Sequence, residues 1–210
     1  MAGDARLSER LMRLILDRPF RWLIVCLLIS MLGIAGCSDQ STPFRGSDIA
    51  GTKLGQQWKL TDMNGQARDQ SSFVGKVQLV FFGFAQCPDI CPTSLSELSA
   101  AMKLLGPDAD RVQVLFITVD PERDTPEIMK KYLSAFDPRF IGLTGTPEQV
   151  RLAASSFKAF YSKVPRPGGD YTMDHSASLY VLDRKGEARV LLSNQAGAAA
   201  IAHDIKALLK

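Results

Sequence analysis

A continuous apolar run of β-forming residues, VQLVFFGFA, occupies positions 77–85. A strand with one solvated face alternates apolar and polar residues, whereas this run is apolar at almost every position. Such a strand is buried on both faces, which is typical of the centre of a sheet covered by helices. A second run of the same kind, RVQVLFITVD, occupies 111–120. We therefore expect both segments to be central strands of one sheet.

Helical segments alternate with these strands. Apolar residues recur at helical spacing between Leu95 and Leu105. Two further segments, 125–136 and 146–160, begin with Thr-Pro-Glu, a sequence typical of helix starts. Alternation of strands and helices predicts an α/β domain with parallel strands at the centre of the sheet.

The two ends of the domain add further β structure. Residues 57–77 predict a strand, a turn at Asn64-Gly65 and a second extended piece, which together form an N-terminal β extension. Residues 178–193 predict two strands joined at 184–186, and the chain ends in a helix. The order resembles the thioredoxin fold, a central mixed sheet flanked by helices, with the reactive cysteines where the first core strand meets its helix.

The first 36 residues carry the pattern of an export signal. Five arginines lie within residues 1–21, and the stretch 22–36 is apolar and uncharged. Fifteen residues are fewer than the roughly 20 needed to span a bilayer and suit a signal-peptide core. The stretch ends in Ile34-Ala35-Gly36-Cys37, which is similar to a bacterial lipobox. We predict a signal peptide at 1–36 and a lipid on Cys37, with an uncleaved anchor as the alternative.

Either form of the N-terminus places the domain outside the cytoplasm, on the periplasmic or extracytoplasmic side, and tethers it to the membrane. Residues 37–55 are polar and rich in Ser, Gly, Asp and Thr, so we predict a flexible linker there and the thioredoxin-like domain at 56–210. Cys26 lies within the apolar stretch and is interpreted as an apolar filler.

Charge excludes one class of partner. The chain has 25 basic and 22 acidic residues, and the first 36 residues hold five and three of them, which leaves 20 and 19 in the body. A nearly neutral body without a basic run offers no electrostatic basis for binding nucleic acid. We therefore predict no nucleic-acid partner.

Two cysteines follow the first buried strand, and a proline follows each of them, in the stretch Cys87-Pro-Asp-Ile-Cys91-Pro. Proline disfavours helical geometry in the residue before it and suits the first turn of a helix. The thiols are therefore predicted near a helix N-terminus, where the dipole favours the thiolate. Three interpretations stay open: a structural disulfide, a redox-active pair that exchanges disulfides, and a soft-metal site. A thiol peroxidase is disfavoured because no activating Thr/Arg pocket precedes Cys87.

The chain has only two histidines that could complete a metal site. His203 lies in the last predicted helix beside Asp204, on a face that we expect to be solvated. His175 immediately precedes a predicted strand, in a loop that abuts the cysteines in thioredoxin-like proteins and that usually carries a cis-proline in exchangers. Here the loop reads Met173-Asp174-His175-Ser176, without proline.

Two thiolates and one imidazole form a soft ligand set that suits Cu(I), with zinc as an alternative. Asp174 is a candidate to orient His175 or to lend an oxygen to Cu(II), and a turn cap is its other role. Met173 is a candidate soft donor or a packing residue. The acidic stretch 119–127 is interpreted as a helix start, with a partner-docking surface as the alternative.

Four motifs in order, at 81–98, 114–127, 140–150 and 171–183, resemble the Sco/SenC family of membrane-tethered, thioredoxin-like copper proteins, and the likeness covers about residues 47–210. The resemblance implies copper, as Cu(I), Cu(II) or both, bound by Cys87, Cys91 and His175.

The same resemblance implies a copper chaperone that assists assembly of the binuclear copper centre of cytochrome c oxidase. Its implied partners are a copper-receiving oxidase subunit and other copper chaperones. The alternative is a thiol–disulfide oxidoreductase that reduces the cysteines of an extracytoplasmic partner, so an enzymatic activity stays open. Copper loading also requires the reduced pair, since oxidised sulfurs do not bind the metal.

Overall fold

The structure is a computed structural model that describes residues 43–210. The predicted signal peptide, the predicted lipidation site Cys37 and the start of the predicted linker lie outside the described residues. Within residues 43–210 the chain forms ten strands and four α-helices. The strands are β1 Ser47–Asp48, β2 Lys59–Asp62, β3 Ala67–Asp69, β4 Val77–Gly83, β5 Val112–Thr118, β6 Ile141–Thr144, β7 Tyr161–Pro165, β8 Tyr171–His175, β9 Leu179–Leu182 and β10 Ala188–Leu192. The helices are α1 Ile90–Leu105, α2 Pro126–Ser134, α3 Pro147–Ser156 and α4 Ala198–Leu209.

Eight of the strands form one mixed sheet in the order β1-β10-β9-β4-β5-β6-β2-β3. The neighbours β4, β5 and β6 are parallel, and the other pairs are antiparallel. Strands β7 and β8 form a separate two-stranded sheet. This architecture confirms the predicted α/β class, with a central mixed sheet, flanking helices and an N-terminal β extension. No helix within residues 43–210 combines the length and the apolar character needed to cross a bilayer.

The two apolar runs form the centre of the sheet. All seven residues of β4 and all seven of β5 are buried, and the register runs from Val77 opposite Val112 to Gly83 opposite Thr118. Large side chains on both faces pack against helices, and full burial of each contributes about 1.5–3 kcal/mol. Because the strands are parallel, the segments that leave their carboxyl ends lie side by side at one edge of the sheet.

The two Thr-Pro-Glu sequences begin helices as predicted. The Thr125 side chain accepts a hydrogen bond from the Ile128 N–H at the start of α2. Thr146 accepts one from the Gln149 N–H at the start of α3, and the Gln149 side chain accepts from the Thr146 N–H. Proline at the first helical position suits both helices, because the N–H group that proline lacks would have no partner within the helix at that position.

Residues 45–48 belong to the predicted flexible linker, 37–55, but in the structure they are held against the domain. The backbone N–H groups of Arg45 and Gly46 donate to the Asp204 carboxylate over 2.8 and 2.9 Å. Strand β1 then pairs with β10. Asp204 is completely buried, and the His203 ring nitrogen Nδ1 lies 2.8 Å from it. The expectation that this face of the last helix is solvated is therefore wrong at Asp204.

Candidate metal centre

The two thiols lie where β4 leads into α1. Cys87 is in the connecting loop, and Cys91 is the second residue of the helix, one position inside its start at Ile90. The helix thus begins slightly earlier than the prolines suggested. Pro92 is compatible with this start because the N–H groups of the first helical turn have no helical partner. Cys91 is completely buried, whereas Cys87 is half-buried.

A glycine makes room for the buried thiol. A Cβ atom at Gly83 would lie 2.8 Å from the Cys91 Sγ and 2.8 Å from the Phe116 ring. Any larger residue would push one of them aside. The last residue of β4 therefore fixes how deeply Cys91 can sit behind the loop.

His175 is the final residue of β8, whereas its sequence predicted a loop. Its Nδ1 lies 2.9 Å from the Ser176 carbonyl oxygen, and the ring packs edge-on against Phe81 and Phe84. A carbonyl can only accept, so Nδ1 carries a proton and donates it. Nε2 is then free in the neutral ring, and it faces the thiols, 3.7 Å from the Cys91 Sγ.

The structure brings all three predicted ligands together. The ligand atoms of Cys87, Cys91 and His175 lie within 4.8 Å of one another, and among the described residues they form the one such group of His, Cys, Asp and Glu. Metal–sulfur and metal–nitrogen bonds of about 2.0–2.3 Å require donors about 4 Å apart around a three-coordinate ion. The donor set therefore fits one metal ion with movements of less than about 1 Å.

The thiols differ in their protonation. The hydrogen bond from the Cys91 side chain is the main reason that the pKa of Cys87 is lowered to about 3; burial opposes it, and contacts with His175 and the Cys91 N–H add to it. The same hydrogen bond, together with burial, raises the pKa of Cys91 far above its usual range. Burial alone would lower the pKa of His175, but its contacts with Cys87 and the Ser176 carbonyl raise it. At neutral pH the pair is thus one thiolate and one thiol.

Two neighbours of His175 do not have the roles considered for them as ligands. Asp174 is exposed, and its carboxylate does not belong to the group of ligand atoms that converge within 4.8 Å. The Ser176 carbonyl, not Asp174, orients the imidazole. Met173 is buried and packs in the hydrophobic core.

Comparison with known proteins identifies the family. The family described as SCO1/SenC matches residues 47–210. This chain belongs to the SCO1/SenC family. BsSco, whose structure is 23% identical with a TM-score of 0.61, is described as a member of the Sco family of cytochrome c oxidase assembly proteins, and at this identity the likeness shows a shared fold.

Individual relatives cover most of the described domain. The structure of Bradyrhizobium japonicum ScoI with copper bound is 45% identical, covers 74% of this chain and 99% of that chain, and has a TM-score of 0.69. Yeast Sco1 with copper bound is 36% identical over 74% of this chain and 90% of that chain, with a TM-score of 0.66. A SCO2-like protein of Rickettsia felis is 40% identical over 137 residues, which is 64% of this chain and 67% of the relative. The match to the mitochondrial SCO2 protein of Saccharomyces cerevisiae spans only 46% of that protein.

A cavity of about 220 Å³ opens onto the Cys87 side of the centre. Its walls are Phe84, residues 87–90, Arg166 and residues 172–175. Cys91 does not line it. A ligand or partner that enters this cavity therefore meets the half-buried thiolate of Cys87 before the buried thiol.

The acidic stretch supports this centre through a contact that its sequence does not reveal. Asp124 is buried, and its Oδ2 accepts hydrogen bonds from the Ala85 N–H (3.0 Å) and from the Thr118 hydroxyl (2.6 Å). Burial raises the pKa of Asp124. The loop at 84–89, which carries Cys87, is called the thiol loop. The bond to Ala85 ties this loop, two residues before Cys87, to the end of β5. The signal was present as the motif at 114–127, but nothing in its spacing shows which backbone group Asp124 binds.

Proposed function

We propose that this member of the SCO1/SenC family is a membrane-tethered, extracytoplasmic copper-binding protein that holds copper as cargo and assists assembly of the binuclear copper centre of cytochrome c oxidase. One observation carries the proposal: two sulfur donors and one imidazole nitrogen converge within 4.8 Å of one another. Copper-bound structures of relatives with up to 45% identity support the choice of metal.

The donor chemistry favours Cu(I). Two thiolates and an imidazole are soft ligands, and three of them leave the ion accessible for ligand exchange. Because Cys87 is already a thiolate at neutral pH, binding of one Cu(I) by the pair releases one proton, from Cys91. Exchange with a partner's thiols then begins at Cys87, the sulfur that faces the cavity.

Cu(I) titration of the reduced full-length chain against a competing chelator tests the copper site. His175→Ala is expected to weaken copper binding by about tenfold or more, which corresponds to about 1.4 kcal/mol per factor of ten. His203→Ala is the matched control, since it removes the only other histidine of the chain and leaves the centre intact. Equal copper affinity of wild type and His175→Ala would rule out the three-ligand site.

A second candidate function is thiol–disulfide exchange. It is favoured by the pairing of an accessible thiolate at Cys87 with a buried thiol at Cys91, which are the states suited to an attacking and a resolving cysteine. An insulin-reduction assay separates the two functions. Turnover that persists in His175→Ala and is lost in Cys87→Ser would favour the oxidoreductase over the chaperone.

The tether and the partner belong to the same proposal. The lipobox-like sequence supports lipidation of Cys37, and metabolic labelling with a fatty acid tests it. Label is expected on wild type and on Cys26→Ala but not on Cys37→Ala, and label that survives Cys37→Ala would contradict the lipidation. An oxidase subunit is the proposed recipient of copper, with other copper chaperones as donors. A deletion strain whose oxidase activity is restored by added copper would support delivery over thiol reduction.

A further inference from the structure

The polar contacts between the hairpin that carries His175 and the rest of the domain converge on one segment, in addition to the apolar contacts of Met173 and the His175 ring. This hairpin, residues 160–176, contains β7 and β8, and its strands pair only with each other. Apart from the contacts of His175 with the two thiols, every hydrogen bond or ion pair that leaves it for another described part of the chain ends on Asp120, Glu122 or Arg123. These residues belong to Asp120–Asp124, which we call the positioning segment.

Arg123 makes the central contacts between the hairpin and the positioning segment. Its guanidinium lies over the Tyr171 ring, with 3.7 Å from Cζ to the ring centroid, and Nη1 donates to the Tyr171 carbonyl oxygen over 3.0 Å. Its Nε donates to the Asp120 carboxylate. The same carboxylate accepts a hydrogen bond from the Tyr171 hydroxyl over 2.9 Å. Arg123 and Asp120 thus hold the ring, the hydroxyl and the backbone of one hairpin residue together.

The outer end of the positioning segment adds a weaker contact. Lys163 of β7 pairs with Glu122 over 2.7 Å, but both side chains are about half exposed. An exposed pair of this kind is screened by solvent and contributes little. Arg123 is only 17% exposed, and its partner Asp120 is 1% exposed. The burial of this second pair indicates that Arg123, and not Lys163, sets the position of the hairpin.

The positioning segment also reaches the other ligand-bearing element. Asp124, next to Arg123 in sequence, holds the Ala85 N–H of the thiol loop. Tyr171 and His175 are the two ends of β8, about 13 Å apart in an extended strand. The positioning segment therefore holds two elements that carry ligands. Through Arg123 it fixes one end of the strand that carries the imidazole, and through Asp124 it fixes the loop that carries Cys87.

We propose that Arg123 is a positioning residue for the metal centre: it does not touch the metal, and by binding Tyr171 it keeps His175 within reach of the two thiols. The inference rests on the proposed copper site. Loss of the guanidinium would leave the buried Asp120 carboxylate without its cation and Tyr171 without its ring and carbonyl contacts. The hairpin would then lose its central polar contacts and be held less firmly against the main sheet, while the two thiols, held by β4 and α1, would stay in place.

The test uses the full-length reduced chain, four single variants, and His175→Ala with and without Arg123→Met. Arg123→Met removes the polar contacts and keeps most of the side-chain volume, and Arg123→Lys keeps the charge. Tyr171→Phe removes only the hydroxyl bond to Asp120. Arg68→Met is the matched control, because Arg68 also pairs with a buried aspartate, over 2.8 Å, and lies over an aromatic ring, at 5.7 Å. Its side-chain hydrogen bonds end on Asp62 and Gln66, and none reaches the hairpin.

Two readouts are measured. Without copper, hydrogen exchange of the β8 amides is expected to be faster in Arg123→Met than in wild type or Arg68→Met. With Cu(I) and a competing chelator, Arg123→Met is expected to bind about 10–100-fold more weakly, which is the usual effect of losing a group that orients a metal ligand. Arg123→Lys should recover part of this loss. In a His175→Ala background, Arg123→Met should add no further loss, since the ligand it positions is already absent.

The outcomes separate the inference from the proposed function. If wild type binds copper without any dependence on His175, the proposed site fails. If wild type depends on His175 but Arg123→Met matches Arg68→Met in both readouts, or if its loss adds fully to that of His175→Ala, the positioning role is overturned. If Arg123→Met does not fold, Arg123→Lys decides: faster β8 exchange and weaker copper binding than in wild type support the role, and no change in either overturns it.

Discussion

Alkylation of Cys87 in the reduced, copper-free chain is expected to proceed at a rate that does not change between about pH 5 and pH 8. The reason is the pKa of about 3, which the hydrogen bond from Cys91 produces. A cysteine with an ordinary pKa of about 8.5 is roughly 0.03% thiolate at pH 5 and roughly 24% at pH 8, so its rate rises about 800-fold over this range. Cys87 is already about 99% thiolate at pH 5, and its rate has almost no room to rise.

The dependence of the alkylation rate on pH shows whether Cys87 is a thiolate, whereas its rate at a single pH does not. Relative to an ordinary thiol, Cys87 has roughly 300 times more thiolate at pH 6. A thiolate of lower pKa is also a weaker nucleophile, and with a Brønsted slope of about 0.4–0.5 a difference of 5.5 pKa units costs roughly 150–600-fold. The two effects nearly cancel at that pH. Mass spectrometry of the alkylated peptide, with fragmentation between the cysteines, gives the rate at Cys87 separately from Cys91.

Two variants test the cause. Cys91→Ala removes the hydrogen bond that mainly lowers the pKa of Cys87, so its profile should regain a rise with pH. Ser94→Ala is the control, because the Ser94 hydroxyl lies on the same helix, is buried, and has no hydrogen-bond partner within the described residues. A wild-type rate that increases tenfold per pH unit would refute the assignment of the thiolate to Cys87. A flat profile that survives Cys91→Ala would refute its cause.

Three further predictions concern the stability of the domain and the binding of copper. Asp204→Ala should lower the free energy of unfolding by about 3 kcal/mol in urea titrations, because two backbone N–H groups lose a buried carboxylate and each such bond contributes about 1.5–3 kcal/mol; a change below 1 kcal/mol would contradict the anchoring role. Gly83→Ala should weaken Cu(I) binding in chelator competition, because its Cβ would displace the Cys91 Sγ, and unchanged binding would refute this account. Phe82→Ala should cost about 3–5 kcal/mol in the same urea titrations without changing the alkylation profile of Cys87, since the ring is completely buried in the core.

The central strands and the helix starts were predictable because their determinants are local. An apolar run such as 77–85 specifies a strand buried on both faces wherever it sits in the chain. The Thr-Pro-Glu sequences place a cap, a proline and an acid within one turn, so each carries its own start signal. In both cases the structure agrees with the sequence to within a few residues.

The features that the sequence did not reveal all depend on distant partners. Strands β7 and β8 are short, Met173 is the one buried residue in the two, and neither has the continuous apolar run of a central strand, so the sequence predicts a loop at His175. Asp204 follows His203 in the last helix, and nothing next to it in sequence shows that it binds a backbone segment 158–159 residues away. The position of His175 relative to the thiols came from a family resemblance and not from any pattern within the sequence.

The separation of the His175 hairpin from the eight-stranded sheet has a consequence for how substitutions in the hairpin affect the amount of protein in a cell. Segments with few links to the main core open at a lower free energy than the whole domain. We expect substitutions that release the hairpin to spare global folding, so cellular proteases that clear unfolded chains would leave such variants in place. The resulting cells would contain normal amounts of the protein and still lack its activity, a deficiency that measurements of abundance alone would miss.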